Sequence, residues 1–109
     1  HASFIYGTCA FPGRVQGHVK IVKTTKDIQK IKKGDILVAE MTRPDLVFAM
    51  KRAAAIITDT GGMSCHAAIV AREFQIPCIV GTTYATKMLK DGDLVDVRSH
   101  RGMVTILLQ

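Results

Sequence analysis

Ala53-Ala54-Ala55-Ile56-Ile57-Thr58-Asp59-Thr60-Gly61-Gly62-Met63-Ser64-Cys65-His66-Ala67-Ala68-Ile69-Val70-Ala71-Arg72-Glu73 is the stretch whose reading decides the fold. Ala53 to Ile57 is a short apolar run, the pattern of a buried strand. Gly61 and Gly62 then permit a backbone turn closed to other residues. Ser64 is a good N-cap, and the residues after it favour helix. The segment therefore reads as strand, glycine turn and helix, with His66 in the first helical turn. The first four N–H groups of a helix lack internal partners, and the helix dipole is positive there. Such an end suits an anion such as phosphate. It also disfavours an imidazolium, which leaves a histidine there neutral and nucleophilic.

The run from Gly61 to Glu73, followed by Ile76-Pro77-Cys78-Ile79-Val80-Gly81-Thr82, resembles the phosphohistidine domain of the phosphoenolpyruvate-utilising enzymes. That family includes phosphoenolpyruvate synthase, pyruvate phosphate dikinase and enzyme I of the sugar phosphotransferase system. Cys65 before the histidine resembles the synthase branch, and Met63 the dikinase branch. Three further segments fit the resemblance: Phe11-Pro12-Gly13-Arg14-Val15-Gln16-Gly17-His18-Val19, Gly34-Asp35-Ile36-Leu37-Val38 and Thr42-Arg43-Pro44-Asp45. So does Asp91-Gly92-Asp93-Leu94-Val95-Asp96-Val97. Gln75 departs from it, because the family usually ends this helix on glycine.

The resemblance implies an α/β fold, the three-layer β/β/α swivelling phosphohistidine domain, over residues 1–109 as one domain. It implies that His66 is the catalytic nucleophile, phosphorylated and dephosphorylated in turn. Gly61, Gly62, Ser64 and Cys65 would support the phosphate, and Thr58 would orient the second imidazole nitrogen. The partners it implies are an ATP-grasp nucleotide-binding domain and a TIM-barrel domain for phosphoenolpyruvate or pyruvate. No P-loop or paired carboxylate site appears in the sequence. No cofactor or metal is therefore expected on this domain, with magnesium and ATP on the partner domains. A non-catalytic binding or regulatory module that kept the fold is the rival, and the intact His66 and glycine turn weigh against it. A Ser64–His66–Asp59 triad is weaker still, since no G-x-S-x-G elbow is present.

The remaining chain reads as short elements. Residues 4–11 form one apolar element ending at the Pro12-Gly13 turn, and Val15 to Val22 a strand. Thr24 to Lys33 is one helical turn or a loop. Ile36 to Ala39 is a strand, and Leu46 to Arg52 a short helix opened by Pro44. Cys65 to about Phe74 is a helix, apolar nearly all round and hence expected to be buried. Strands follow at Cys78–Val80, Leu94–Val97 and Met103–Leu108, with a short helix over 84–89.

Hydrophobic residues make up 48% of the 109, which excludes a disordered chain. No apolar run approaches the roughly 20 residues of a membrane span. Cys9, Cys65 and Cys78 form no C-x-x-C pair, and their odd number points to a reducing, cytoplasmic setting. The chain begins with His1, so His1-Ala2-Ser3 reads as a tag remnant or as the cut end of a longer chain. The net charge is +6, and ten of the fifteen Lys and Arg lie at or before Arg52. Lys20, Lys23, Lys26, Lys30, Lys32 and Lys33 alternate with other residues and few aromatics accompany them. They read as a solvated face or a surface for anionic partners, and nucleic-acid binding has only charge in its favour.

Overall fold

The computed structural model describes residues 3–109. The expectation for His1 and Ala2 lies outside the described residues, while Ser3 opens the first strand and pairs with Ile106. Eight strands form: β1 (Ser3–Tyr6), β2 (Thr8–Phe11), β3 (Arg14–Val22), β4 (Ile36–Ala39), β5 (Ala55–Thr58), β6 (Cys78–Val80), β7 (Leu94–Arg98) and β8 (Met103–Leu108). Three α-helices join them: α1 (Val47–Arg52), α2 (His66–Phe74) and α3 (Ala85–Met88).

β4 is a four-residue apolar run and β5 three apolar residues closed by Thr58, with every residue buried, as strands covered on both faces must be. They pair in parallel with each other, and β6 extends the parallel set. β3 serves two halves of the sheet. Arg14–His18 pair antiparallel with β7, and Val19–Val22 pair in parallel with β4. The order is β1-β8-β7-β3-β4-β5-β6-β2.

The first two strands correct the single element expected over residues 4–11. They are separated by Gly7 alone, yet they form opposite borders of the sheet. The sheet curls until its borders meet at this glycine. The Gly7 N–H donates to the Gly102 carbonyl at 2.9 Å. A Cβ on Gly7 would lie 2.6 Å from the Val80 oxygen, and one on Gly102 would lie 2.2 Å from the Gly7 oxygen. Both positions admit only glycine because two backbones touch there.

Side-chain alternation along the parallel strands separates two cores. Ile36, Val38, Ala55, Ile57 and Ile79 face the antiparallel half and pack with Val95, Val97 and Val104. Leu37, Ala39, Ile56, Cys78 and Val80 face the helices and pack with Met50, Ala67, Ala68 and Ala71. The result is the expected three-layer β/β/α arrangement. A fully buried isoleucine such as Ile56 is worth about 2–5 kcal/mol against alanine in a core of this kind.

α2 lies on the parallel strands through alanines at 67, 68 and 71, small enough for close approach. Its other face is open: Ile69 is 55% exposed, which corrects the expectation of a helix buried all round. The helix ends at Gln75 in the left-handed region, with φ +56° and ψ +47°. The backbone thus does at Gln75 what the resemblance assigns to glycine, at a cost of order 1 kcal/mol. Residues 25–30 form a 3-10 helix with a capping box, in which Thr24 and Asp27 exchange side-chain-to-backbone bonds.

Candidate active site

The ends of three adjacent parallel strands build the site. β5 ends at Thr58, and the following loop is tied on both sides. Asp59 N–H donates to the Ala39 carbonyl at 3.1 Å, and Thr60 N–H to Glu40 at 3.0 Å. Gly81 N–H, after β6, donates to Thr60 at 3.3 Å. Asp59 is buried, and its carboxylate accepts from the Thr86 amide at 2.9 Å and from the Thr86 hydroxyl. That carboxylate is committed to α3, so the Ser64–His66–Asp59 triad has no geometric basis.

Gly61 adopts φ +99°, and a Cβ there would stand 2.7 Å from the Cys65 sulfur. Gly62 has neither positive φ nor a neighbour within 4 Å of a virtual Cβ. The turn therefore needs one glycine for its own conformation, while the other has open space around it. Cys65 N–H donates to the Gly62 carbonyl at 3.1 Å, and Arg72 reaches back to donate to the Met63 carbonyl at 2.7 Å.

The helix begins one residue later than Ser64 suggests. Cys65 is the N-cap, with φ −73° and ψ +165°, and no side chain caps the helix. The exposed Ser64 hydroxyl is therefore not spent on α2. His66 is the first helical residue and half-buried. Its Nδ1 lies 2.8 Å from the Thr42 hydroxyl.

Thr42 takes the orienting position expected of Thr58. The Thr58 hydroxyl instead donates to the Thr60 carbonyl at 2.7 Å and braces the loop. Thr42 is buried, two residues past Glu40, on the loop that follows β4. The sequence signal for it is positional: β4 and β5 are parallel neighbours, so the residues after them meet at one edge.

Met41, Thr42, Thr58, Thr60, Gly61 and Cys65 enclose, with His66, a cleft of about 40 Å³. In the core cluster against which Cys65 packs, Cys78 is fully buried, and burial pushes its thiol up to about 12, so it is no nucleophile near neutral pH. Arg43 donates to Asp45 at 3.4 Å and Arg72 to the Met63 carbonyl at 2.7 Å, and neither lines the His66 cleft. Among the described residues, no three His, Cys, Asp or Glu side chains gather as metal ligands. No helix among the described residues is long and apolar enough to cross a membrane.

Residues 31–102 match the family model of the PEP-utilising enzyme mobile domain. The chain belongs to this family. It is 57% identical over 98 residues to a "Probable phosphoenolpyruvate synthase" of Archaeoglobus fulgidus, covering 90% of the chain and 13% of that relative. It is 56% identical over 98 residues to the phosphoenolpyruvate synthase of Pyrococcus furiosus, covering 90% of the chain and 12% of that enzyme. Among solved structures, the Enzyme I protein nEIt superposes with a TM-score of 0.62 at 32% identity, over 72% of this chain and 33% of that one. This mobile domain thus spans about an eighth of the length of the synthases it matches.

The two glycines of the mobile domain should respond differently to substitution. Gly61→Ala forces a side chain into positive φ and against the Cys65 sulfur. It should lower stability by about 1–3 kcal/mol, read from the urea midpoint. Gly62→Ala should stay within about 0.5 kcal/mol of the parent. Equal midpoints for the two variants would contradict the assigned strain.

Proposed function

We propose that the chain is the phosphoryl carrier of a phosphoenolpyruvate synthase-like phosphotransferase, with His66 as the carrying residue. The observation that carries this reading is the size and lining of the His66 cleft. At about 40 Å³ it is far below the roughly 300–1,000 Å³ of sites that enclose a whole metabolite. A phosphoryl group fits beside the imidazole, while a nucleotide or phosphoenolpyruvate must be held by another surface and presented to it. The family resemblance supplies those surfaces as an ATP-grasp domain and a TIM-barrel domain, and places magnesium and ATP on the former.

In this reading His66 Nδ1–H donates to Thr42 Oγ1, which leaves the Nε2 lone pair free. Nε2 attacks the β-phosphorus of an enzyme-bound nucleotide or the phosphorus of phosphoenolpyruvate. An N–P bond forms, the P–O bond to the leaving group breaks, and the leaving oxygen keeps the electron pair. Backbone N–H groups of the turn before α2 hold the phosphoryl oxygens, and the positive helix end favours their charge. From a nucleoside triphosphate the attack leaves a pyrophosphoryl group on Nε2 as the monophosphate departs. Water then takes the terminal phosphoryl group as inorganic phosphate. The acceptor oxygen attacks the phosphorus that remains, so that the N–P bond breaks and Nε2 recovers its lone pair.

The nitrogen assignment tests the roles of His66 and Thr42 together. After phosphorylation by the partner domains, ¹H–¹⁵N spectra of the His66 ring should show phosphorus on Nε2 and a proton on Nδ1. Thr42→Val should leave the fold standing, slow labelling by about tenfold or more, and mix the two ring tautomers. Phosphorus on Nδ1, or unaltered labelling in Thr42→Val, would rule out this arrangement.

A further inference from the structure

The His66 cleft is not the largest recess of the molecule. A cavity of about 450 Å³ opens between the 3-10 helix Thr25–Lys30 and the segment from α3 to Asp91. It shares no lining residue with the His66 cleft. Four lysines line it, Lys23, Lys30, Lys87 and Lys90, together with Asp27 and Asp91.

The two carboxylates are already committed. Asp91 accepts from the Ile21 amide at 2.6 Å and from the Lys30 ammonium at 2.8 Å. Asp27 accepts from the Lys23 and Thr24 amides at 2.7 and 3.1 Å, and Lys30 lies 3.5 Å from it. Lys30 bridges the two aspartates and holds the two walls together, a trio of formal net charge −1. Lys23, Lys87 and Lys90 are exposed, and among the described residues none has a carboxylate within ion-pair distance. Three ammonium groups without an ion-pair partner thus share one concavity, whose four lysines and two aspartates leave it a formal net charge of +2. Gathering like charges is unfavourable, and concave walls focus their field on whatever anion enters.

We propose that this recess binds a compact polyanion carrying two or more linked phosphates. Three separated cations match a chain of anionic groups better than a single one. A nucleoside would add little. No aromatic side chain lines the cavity, and its apolar wall is Ile21 and Leu89, both more than nine-tenths buried. The same lack of stacking partners sets single-stranded nucleic acid aside. The occupant would also touch Thr86, whose amide and hydroxyl hold the Asp59 carboxylate at the start of the glycine turn. This site stands independently of the carrier role of His66.

The probe is inorganic pyrophosphate, added without divalent metal to the ¹⁵N-labelled chain at about 0.15 M salt, where long-range surface attraction is largely screened. Saturable shifts are expected at the amides of Lys23, Thr86, Lys87, Leu89 and Lys90. The double variant Lys87→Glu/Lys90→Glu should weaken binding at least about tenfold, and circular dichroism should show it folded, since both side chains lie at the surface. His66→Ala should bind as the parent does. Sulfate at matched ionic strength should bind more weakly than pyrophosphate. ATP should bind no more tightly than inorganic triphosphate. Shifts confined to Gly61–His66, affinity unchanged in the double variant, or sulfate equal to pyrophosphate would each overturn the site. ATP much tighter than triphosphate would overturn the assignment of the ligand class.

Discussion

His66→Ala should abolish phosphoryl labelling of the chain. Supplied with its partner domains and labelled phosphoenolpyruvate or ATP, the parent should acquire label that acid releases and alkali does not. The variant should acquire none. The loss should be complete because the other oxygen groups lining the cleft are threonine hydroxyls, weak nucleophiles without an adjacent base. Thr58 and Thr60 donate their hydroxyls to backbone carbonyls, at 2.7 and 2.9 Å. Cys65 is the remaining candidate, and a transferred label on its thiolate would differ from phosphohistidine in its stability profile. The fold should survive, since alanine is the best helix former and residue 66 is only half-buried. The buried Thr42 hydroxyl loses its partner, which should cost about 1 kcal/mol. A melting curve shifted by no more than that, beside absent label, separates a chemical role from a structural one. Label that survives in His66→Ala would refute the assignment of the nucleophile.

The elements on which this chemistry stands were legible because each is locally dictated. Ile36–Ala39 and Cys78–Val80 are apolar runs too short for helices and bounded by turn residues, and both fold as strands over those residues. Met103–Leu108 does the same. The glycine turn and the position of His66 in the first helical turn follow from Gly61 and the alanine-rich run after it. What escaped the sequence depends on which backbones meet. Gly7 looks like an ordinary interruption until its contacts with Val80 and Gly102 are known. Ser64 outranks cysteine as an N-cap, yet the loop fixed by Gly61 and by the Arg72–Met63 bond brings Cys65 into that position. Read from the sequence, the orienting residue is Thr58 at the end of β5, whereas Thr42 lies three residues past the end of the neighbouring parallel strand β4. Tertiary contacts alone decide that one touches the imidazole and the other its own loop. Likewise Lys23 reads as part of a solvated run, and only the fold sets it in one recess with Lys87 and Lys90.

The chain alone should transfer phosphoryl groups from ATP or phosphoenolpyruvate at least about three orders of magnitude more slowly than the chain with its partner domains, because it lacks the cationic groups that stabilise the moving phosphoryl group. Catalysis of this transfer is almost entirely positioning and charge neutralisation. Here no arginine or lysine lines the His66 cleft. The described residues hold no metal-ligand cluster. One helix end and a turn of amides supply only part of what is needed. The cleft of about 40 Å³ cannot enclose a donor and align its leaving group. Supplying the partner domains in trans should restore some labelling. Joining them by a flexible linker should raise it further, because a short tether sets an effective concentration in the millimolar range. The comparison is made with the same labelled donor in three reactions: chain alone, domains mixed, and domains joined. The expected order of rates is joined above mixed above alone. The synthases that this chain matches are about eight times its length, which leaves ample chain for such donor sites. Transfer to the isolated chain at the speed of the joined protein would refute the carrier role, since a donor site would then have to lie within these 109 residues.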